Sequence, residues 1–220
     1  MNIMKQIAIE GIIPTVTIDN VADAVPVAQA ISDGGINVIE ITFRTAAAPE
    51  AINAISTNCP NMLVGAGTII TLDQCKKAIA KGAQFIVSPG FDEYVVRWCV
   101  ENNIPVFPGC ATATEIMNAI KSGLTIVKFF PANVYGGLSG MKALSGPFGG
   151  IKFIPTGGVN NQNIREYISA PFVHAVGGSW ICPKADIVAG NFEKITSLCL
   201  KARQNMLGND MDTHEVHMDN

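Results

Sequence analysis

Short apolar runs recur along this 220-residue chain at intervals of about 20–28 residues, and most are followed by a stretch with helical spacing. The runs are Ile12–Val16, Ile36–Ile41, Leu63–Gly65, Phe85–Ser88, Val106–Phe107, Thr125–Phe129, Lys152–Ile154 and Val173–Val176. Between them Ala22–Ser32, Pro49–Ser56, Leu72–Lys81, Glu93–Asn102, Thr114–Lys121 and Gln162–Ser169 read as helices. Thr71 and Asn160 stand where caps belong, and Gly34, Gly82 and Gly123 follow helical segments. Strands alternating with helices require a parallel sheet, and eight of them in one domain predict a closed (β/α)8 TIM barrel of the α/β class. A doubly wound open sheet is the alternative. No linker divides the chain, so residues 1–206, with an N-terminal helix, form the predicted domain. Residues 207–220 are polar and acidic, which predicts a flexible, disordered tail.

The composition narrows the function. Hydrophobic residues make up 48% of the chain and charged ones 15%, and the net charge is −3 with no basic stretch, so nucleic-acid binding has no electrostatic support. No apolar run reaches the roughly 20 residues of a membrane span, and the start lacks the features of a secretory signal. Six scattered cysteines with no CxxC pair read as free thiols in a reducing cytoplasm. His174 is alone in the barrel body. His214 and His217 would bring two ligands from a tail with no core of its own, a weak metal site.

Barrel active sites lie at the C-terminal strand ends. The polar residues there are Glu40, Thr42 and Arg44 after the second run, Thr68 after the third, Pro89 after the fourth and Lys128 at the sixth. Thr156–Gly157–Gly158 follow the seventh, and Gly177–Gly178–Ser179 the eighth. Strand parity turns Glu40, Thr42 and Arg44 to one face, and Lys128 shares a face with Leu124 and Ile126. A carboxylate and an amine are thus expected to enter one interior from neighbouring parts of the barrel.

Lys128 lies among Ile126, Val127, Phe129 and Phe130, where desolvation disfavours the ammonium and favours a nucleophilic amine. The other reading is a packed lysine stem, or a buried ion pair with Glu40. Glu40 is correspondingly a general acid/base or a counter-ion. Arg44 carries a fork that matches a carboxylate, or is an exposed strand-end residue. The glycine pairs fall where barrels bind phosphate through backbone N–H groups. Together these features describe a substrate with an anion at each end.

The ordered set Ile39-Glu40-Ile41-Thr42-Phe43-Arg44-Thr45, Gly65-Ala66-Gly67-Thr68, Ser88-Pro89-Gly90, Phe107-Pro108-Gly109, Lys128-Phe129-Phe130-Pro131-Ala132, Pro155-Thr156-Gly157-Gly158-Val159 and Gly177-Gly178-Ser179-Trp180 resembles the 2-keto-3-deoxy-6-phosphogluconate aldolase family, which includes 4-hydroxy-2-oxoglutarate aldolases. The resemblance runs from about Ile13 to Ile187. It implies a class I aldolase with its Schiff base on Lys128 and its general acid/base at Glu40. Arg44 and Thr68 would hold the pyruvate carboxylate, with Pro89 lining the pocket and Thr156 beside the substrate. Gly157, Gly158, Gly178 and Ser179 would cradle the phosphate. It further implies a homotrimer that needs no metal or other cofactor, acts on a phosphorylated 2-oxo sugar acid and serves the Entner–Doudoroff pathway. The galactonate epimer and 4-hydroxy-2-oxoglutarate are alternative substrates. Metal-dependent aldol cleavage and a non-catalytic sugar-phosphate-binding barrel are the rival readings. Two positions depart from the family pattern. Asn133 stands where glutamate is frequent and Ala113 where proline is common, and the first leaves the aldehyde half of the substrate open.

Overall fold

The computed structural model describes residues 2–208. Helix α1 (Ile3–Glu10) precedes strand β1 (Ile12–Val16). The chain then runs through α2 (Ala24–Asp33), β2 (Val38–Thr42), α3 (Ala48–Asn58), β3 (Leu63–Gly67), α4 (Leu72–Ala80), β4 (Phe85–Val87), α5 (Glu93–Glu101) and β5 (Val106–Phe107). It continues with α6 (Ala113–Lys121), β6 (Ile126–Phe129), α7 (Gly137–Ser145), β7 (Lys152–Pro155), α8 (Ile164–Ser169), β8 (Val176–Gly178), α9 (Lys184–Val188) and α10 (Phe192–Leu207).

All the strand pairs are parallel. Six strands lie side by side in the order β5-β4-β3-β2-β1-β8, and β6 pairs with β7. Single bridges close the circle, Gly109 to Lys128 on one side and Thr156 to Gly177 on the other. At the first, Lys128 N–H donates to Pro108 O and Cys110 N–H to Lys128 O, each at 2.9 Å. The eight strands therefore form a barrel, and the open-sheet alternative is set aside.

Local chemistry explains the helix starts. Thr71 accepts from Gln74 N–H, Asp92 from Val95 N–H, and Thr112 forms a capping box with Glu115. Asn160 does not cap α8 as expected: its side chain accepts from Gln162 N–H inside the preceding turn, and Asn163 occupies the cap position. Inside the barrel, the Phe85 ring occupies the space a side chain on Gly65 would need. At the N-terminal end of the strands α1 packs with Ile7 fully buried, and the His174 ring lies 3.0 Å from Met4 O.

Three expectations need correction. The eighth strand begins at Val176, not Val173, because Phe172 and His174 bond Phe153 in an isolated bridge before the regular pairing with β1 starts. Helices α7, α9 and α10 lie where no helix was read. Leu207 belongs to α10, which Gly208 ends in a left-handed conformation; the rest of the expected tail, with His214 and His217, lies outside the described residues.

Candidate active site

Glu40 and Thr42 lie within β2 rather than after it, and Lys128 lies within β6, as expected. In the strand order β2 and β6 lie on opposite sides of the circle, so the Glu40 and Lys128 side chains meet across the interior and not from neighbouring positions as parity alone suggested. The amine Nζ is 3.6 Å from Glu40 Oε1, with Lys128 6% and Glu40 2% exposed. That separation is an ion-pair distance but longer than a hydrogen bond. Among the described residues Glu40 Oε1 accepts no hydrogen bond, although buried polar atoms nearly always find a partner. The Phe130 ring lies 5.4 Å from Lys128 Nζ and closes over the amine.

Glu40 fits because Gly67 has no side chain. A Cβ there would overlap the carboxylate. The same holds on the other side, where a Cβ on Gly177 would strike Thr156 Oγ1. Glycine is used at both positions for space beside a polar side chain; neither has a positive φ.

Arg44 and Thr68, assigned together by resemblance, are in contact: Arg44 Nε donates to Thr68 Oγ1 at 3.2 Å. Thr68 has φ +57, a left-handed conformation costly for a β-branched residue, and such strain collects at functional sites. Pro89 is exposed at the end of β4, and its carbonyl stands where a Cβ on Gly109 would go.

A cavity of about 570 Å³ opens above this interior. Its wall carries Arg44, Phe130 and Thr156, and then Gly157, Gly158, Gly178 and Ser179. Gly157 and Gly158 take φ +93 and +81, as a turn that exposes its backbone demands. Gly178 ends β8 rather than following it, and only Ser179 lies beyond. Asn133 packs under Gly158, whose Cβ would lie 2.5 Å from Asn133 Cβ, so the unusual residue touches the glycine turn.

Several wall residues were missed. Thr15 and Thr17 of β1 and its following loop line the cavity, as do Trp180, Cys182 and Lys184. Thr15 is in register with Glu40, and its hydroxyl is also buried without a partner among the described residues. Thr17 Oγ1 lies 2.8 Å from Thr42 Oγ1. Their i, i+2 spacing at the end of the first strand was the available signal. The Cys182 thiol is pushed well up by burial, which keeps it protonated and unreactive at neutral pH. Burial raises the Cys110 thiol to about 12. Among the described residues no group of three or more His, Cys, Asp or Glu is arranged to hold a metal ion, and no helix is long and apolar enough to cross a membrane.

An eight-stranded barrel with a buried amine facing a carboxylate beneath an open cavity defines a class of enzyme equipped for imine chemistry on a carbonyl substrate. The chain belongs to the KDPG and KHG aldolase family, whose model matches residues 2–198. It is therefore an aldolase, a carbon–carbon lyase. A 2-dehydro-3-deoxy-phosphogluconate aldolase of Treponema pallidum is 48% identical over 193 residues, covering 88% of this chain and 92% of the relative. The KHG/KDPG aldolase of Escherichia coli is 39% identical over 191 residues, covering 87% and 90%. The KDPG aldolase of Legionella pneumophila, solved with pyruvate captured as a covalent carbinolamine intermediate, superposes with a TM-score of 0.88 at 40% identity, covering 92% of this chain and 98% of that one.

Proposed function

We propose that the chain cleaves 2-keto-3-deoxy-6-phosphogluconate to pyruvate and glyceraldehyde 3-phosphate through a Schiff base on Lys128. The observation that carries this reading is the buried Lys128–Glu40 pair at 3.6 Å, in which Glu40 Oε1 accepts no hydrogen bond among the described residues. The names of the Treponema and Legionella relatives, and the pyruvate adduct of the latter, support the substrate.

In this cycle the Lys128 amine adds to the C2 carbonyl. Glu40, directly or through water, moves the protons that let the oxygen leave as water, and an iminium forms. The Glu40 carboxylate then takes the proton of the C4 hydroxyl. The electrons of the C3–C4 bond flow into the iminium, releasing glyceraldehyde 3-phosphate and leaving an enamine. Protonation at C3 and hydrolysis of the imine yield pyruvate and restore the amine. Arg44 and Thr68 hold the C1 carboxylate, Pro89 lines the pocket and Thr156 lies beside the substrate. Gly157, Gly158, Gly178 and Ser179 receive the phosphate. No metal or cofactor enters any step.

A second reading keeps the residues and changes the substrate to 4-hydroxy-2-oxoglutarate; the double name of the Escherichia coli relative favours it. Pyruvate release from a panel of both acids, the galactonate epimer and unphosphorylated 2-keto-3-deoxygluconate separates the readings. We expect the highest kcat/KM on the phosphorylated gluconate. Equal turnover with and without phosphate removes the phosphate cradle from the account.

The same reading places the enzyme in the cytoplasm, in keeping with six unpaired cysteines, and in the Entner–Doudoroff pathway. It also makes the enzyme a homotrimer, so its mass in solution is expected at three times the 23.3 kDa of the chain. A monomeric mass contradicts that.

A further inference from the structure

Two charged side chains line the cavity among the described residues, Arg44 and Lys184. Arg44 is bonded to Thr68, at the end given to the carboxylate. The cradle at the other end offers backbone N–H groups and the Ser179 hydroxyl, none with a full charge. A phosphate monoester brings a charge of about −1.5 to −2 at neutral pH. Lys184 begins α9, in the stretch that follows Ser179, and its ammonium lies 2.7 Å from Asp19 Oδ2 in the loop after β1. Both side chains are about half exposed, 57% and 46%, so solvent screens this pair and it is weak. The flexible lysine stem lets the ammonium exchange one anion for another at little cost.

We propose that Lys184 is the cation for the distal anion of the substrate. Asp19 holds it at the cavity rim in the free enzyme, and it transfers to the phosphate dianion on binding. Lys184 thereby sets the preference for phosphorylated over unphosphorylated 2-oxo acids. This rests on the phosphorylated-substrate reading above. The competing role is a structural strut between the loop after β1 and α9, in which Lys184 and Asp19 matter equally.

The test measures kcat/KM for 2-keto-3-deoxy-6-phosphogluconate and for its unphosphorylated counterpart, and takes their ratio in the wild type, Lys184→Gln, Lys184→Arg and Asp19→Asn. A thermal melt of each variant checks folding. We expect the ratio to fall about tenfold in Lys184→Gln, the scale of one charge-assisted hydrogen bond. It recovers in Lys184→Arg and holds or rises in Asp19→Asn, which frees the ammonium. A wild-type ratio in Lys184→Gln overturns the proposal, and so does an equal fall in Asp19→Asn, the mark of a strut. A wild type with no preference for phosphate instead overturns the substrate reading on which the proposal stands.

Discussion

A Cβ built on Gly67 would overlap the Glu40 carboxylate and lie 2.6 Å from Glu40 Cγ. The Gly67 backbone is ordinary, so alanine is tolerated by the chain and resisted only by the glutamate. Gly67→Ala is therefore expected to fold with a stability loss of about 1–3 kcal/mol from overpacking. Its kcat should fall roughly a hundredfold, because a misplacement of about 1 Å is enough for that. Turnover near normal in a folded variant would mean that the position of Glu40 does not matter. At this scale Lys128 and Glu40 were legible because each is a lone charge in an apolar run. Thr15 and Lys184 were not. The first offered only its i, i+2 spacing with Thr17, and its register against Glu40 and place in the cavity wall emerge from the fold; the second reaches the cavity wall only through the turn after β8. The contact that brings Lys184 to the cavity joins distant segments and leaves no local trace.

Helix α1 is held to the barrel by the fully buried Ile7, by Arg203 to Glu10 at 3.2 Å and by His174 to Met4 O. Burial lowers the His174 value below its ordinary 6.5, outweighing the opposing hydrogen bond to Met4. The neutral ring is thus the form that the fold accepts. Its stability contribution is complete above 6.5 and is lost as pH falls from there through the lowered folded value. Thermal melts between pH 7.5 and 5 should show a shallower decline for His174→Gln than for the wild type; identical slopes would show that His174 is not linked to folding. At the scale of elements the strands β1 and β5 were read to the residue: Gly11 precedes the first, and Pro105 and Pro108 bracket the second. Helix α7 was hidden by Gly137 and Gly140, each of which lowers helix propensity by about 0.5–1 kcal/mol relative to alanine. Tertiary contacts override that: Met141 is fully buried, and Gly140 lets the helix approach the Tyr135 carbonyl.

The whole molecule turns eight short parallel strands into a vessel with distinct ends. Its interior carries the amine and the carboxylate on opposing strands, and its mouth carries Arg44 and Thr68 apart from the glycine turns of β7 and β8. The alternation of strands and helices announced the architecture. The facing of β2 and β6 follows from closure of the circle, a property no segment holds alone. Lys128 is the residue proposed to bond to the substrate. Borohydride reduction in the presence of pyruvate, followed by mass spectrometry of the digested protein, tests this directly. The account predicts one pyruvate-derived adduct on the peptide carrying Lys128 and none in Lys128→Ala, which loses turnover. An adduct on another residue, or Lys128→Ala with normal turnover, would contradict it.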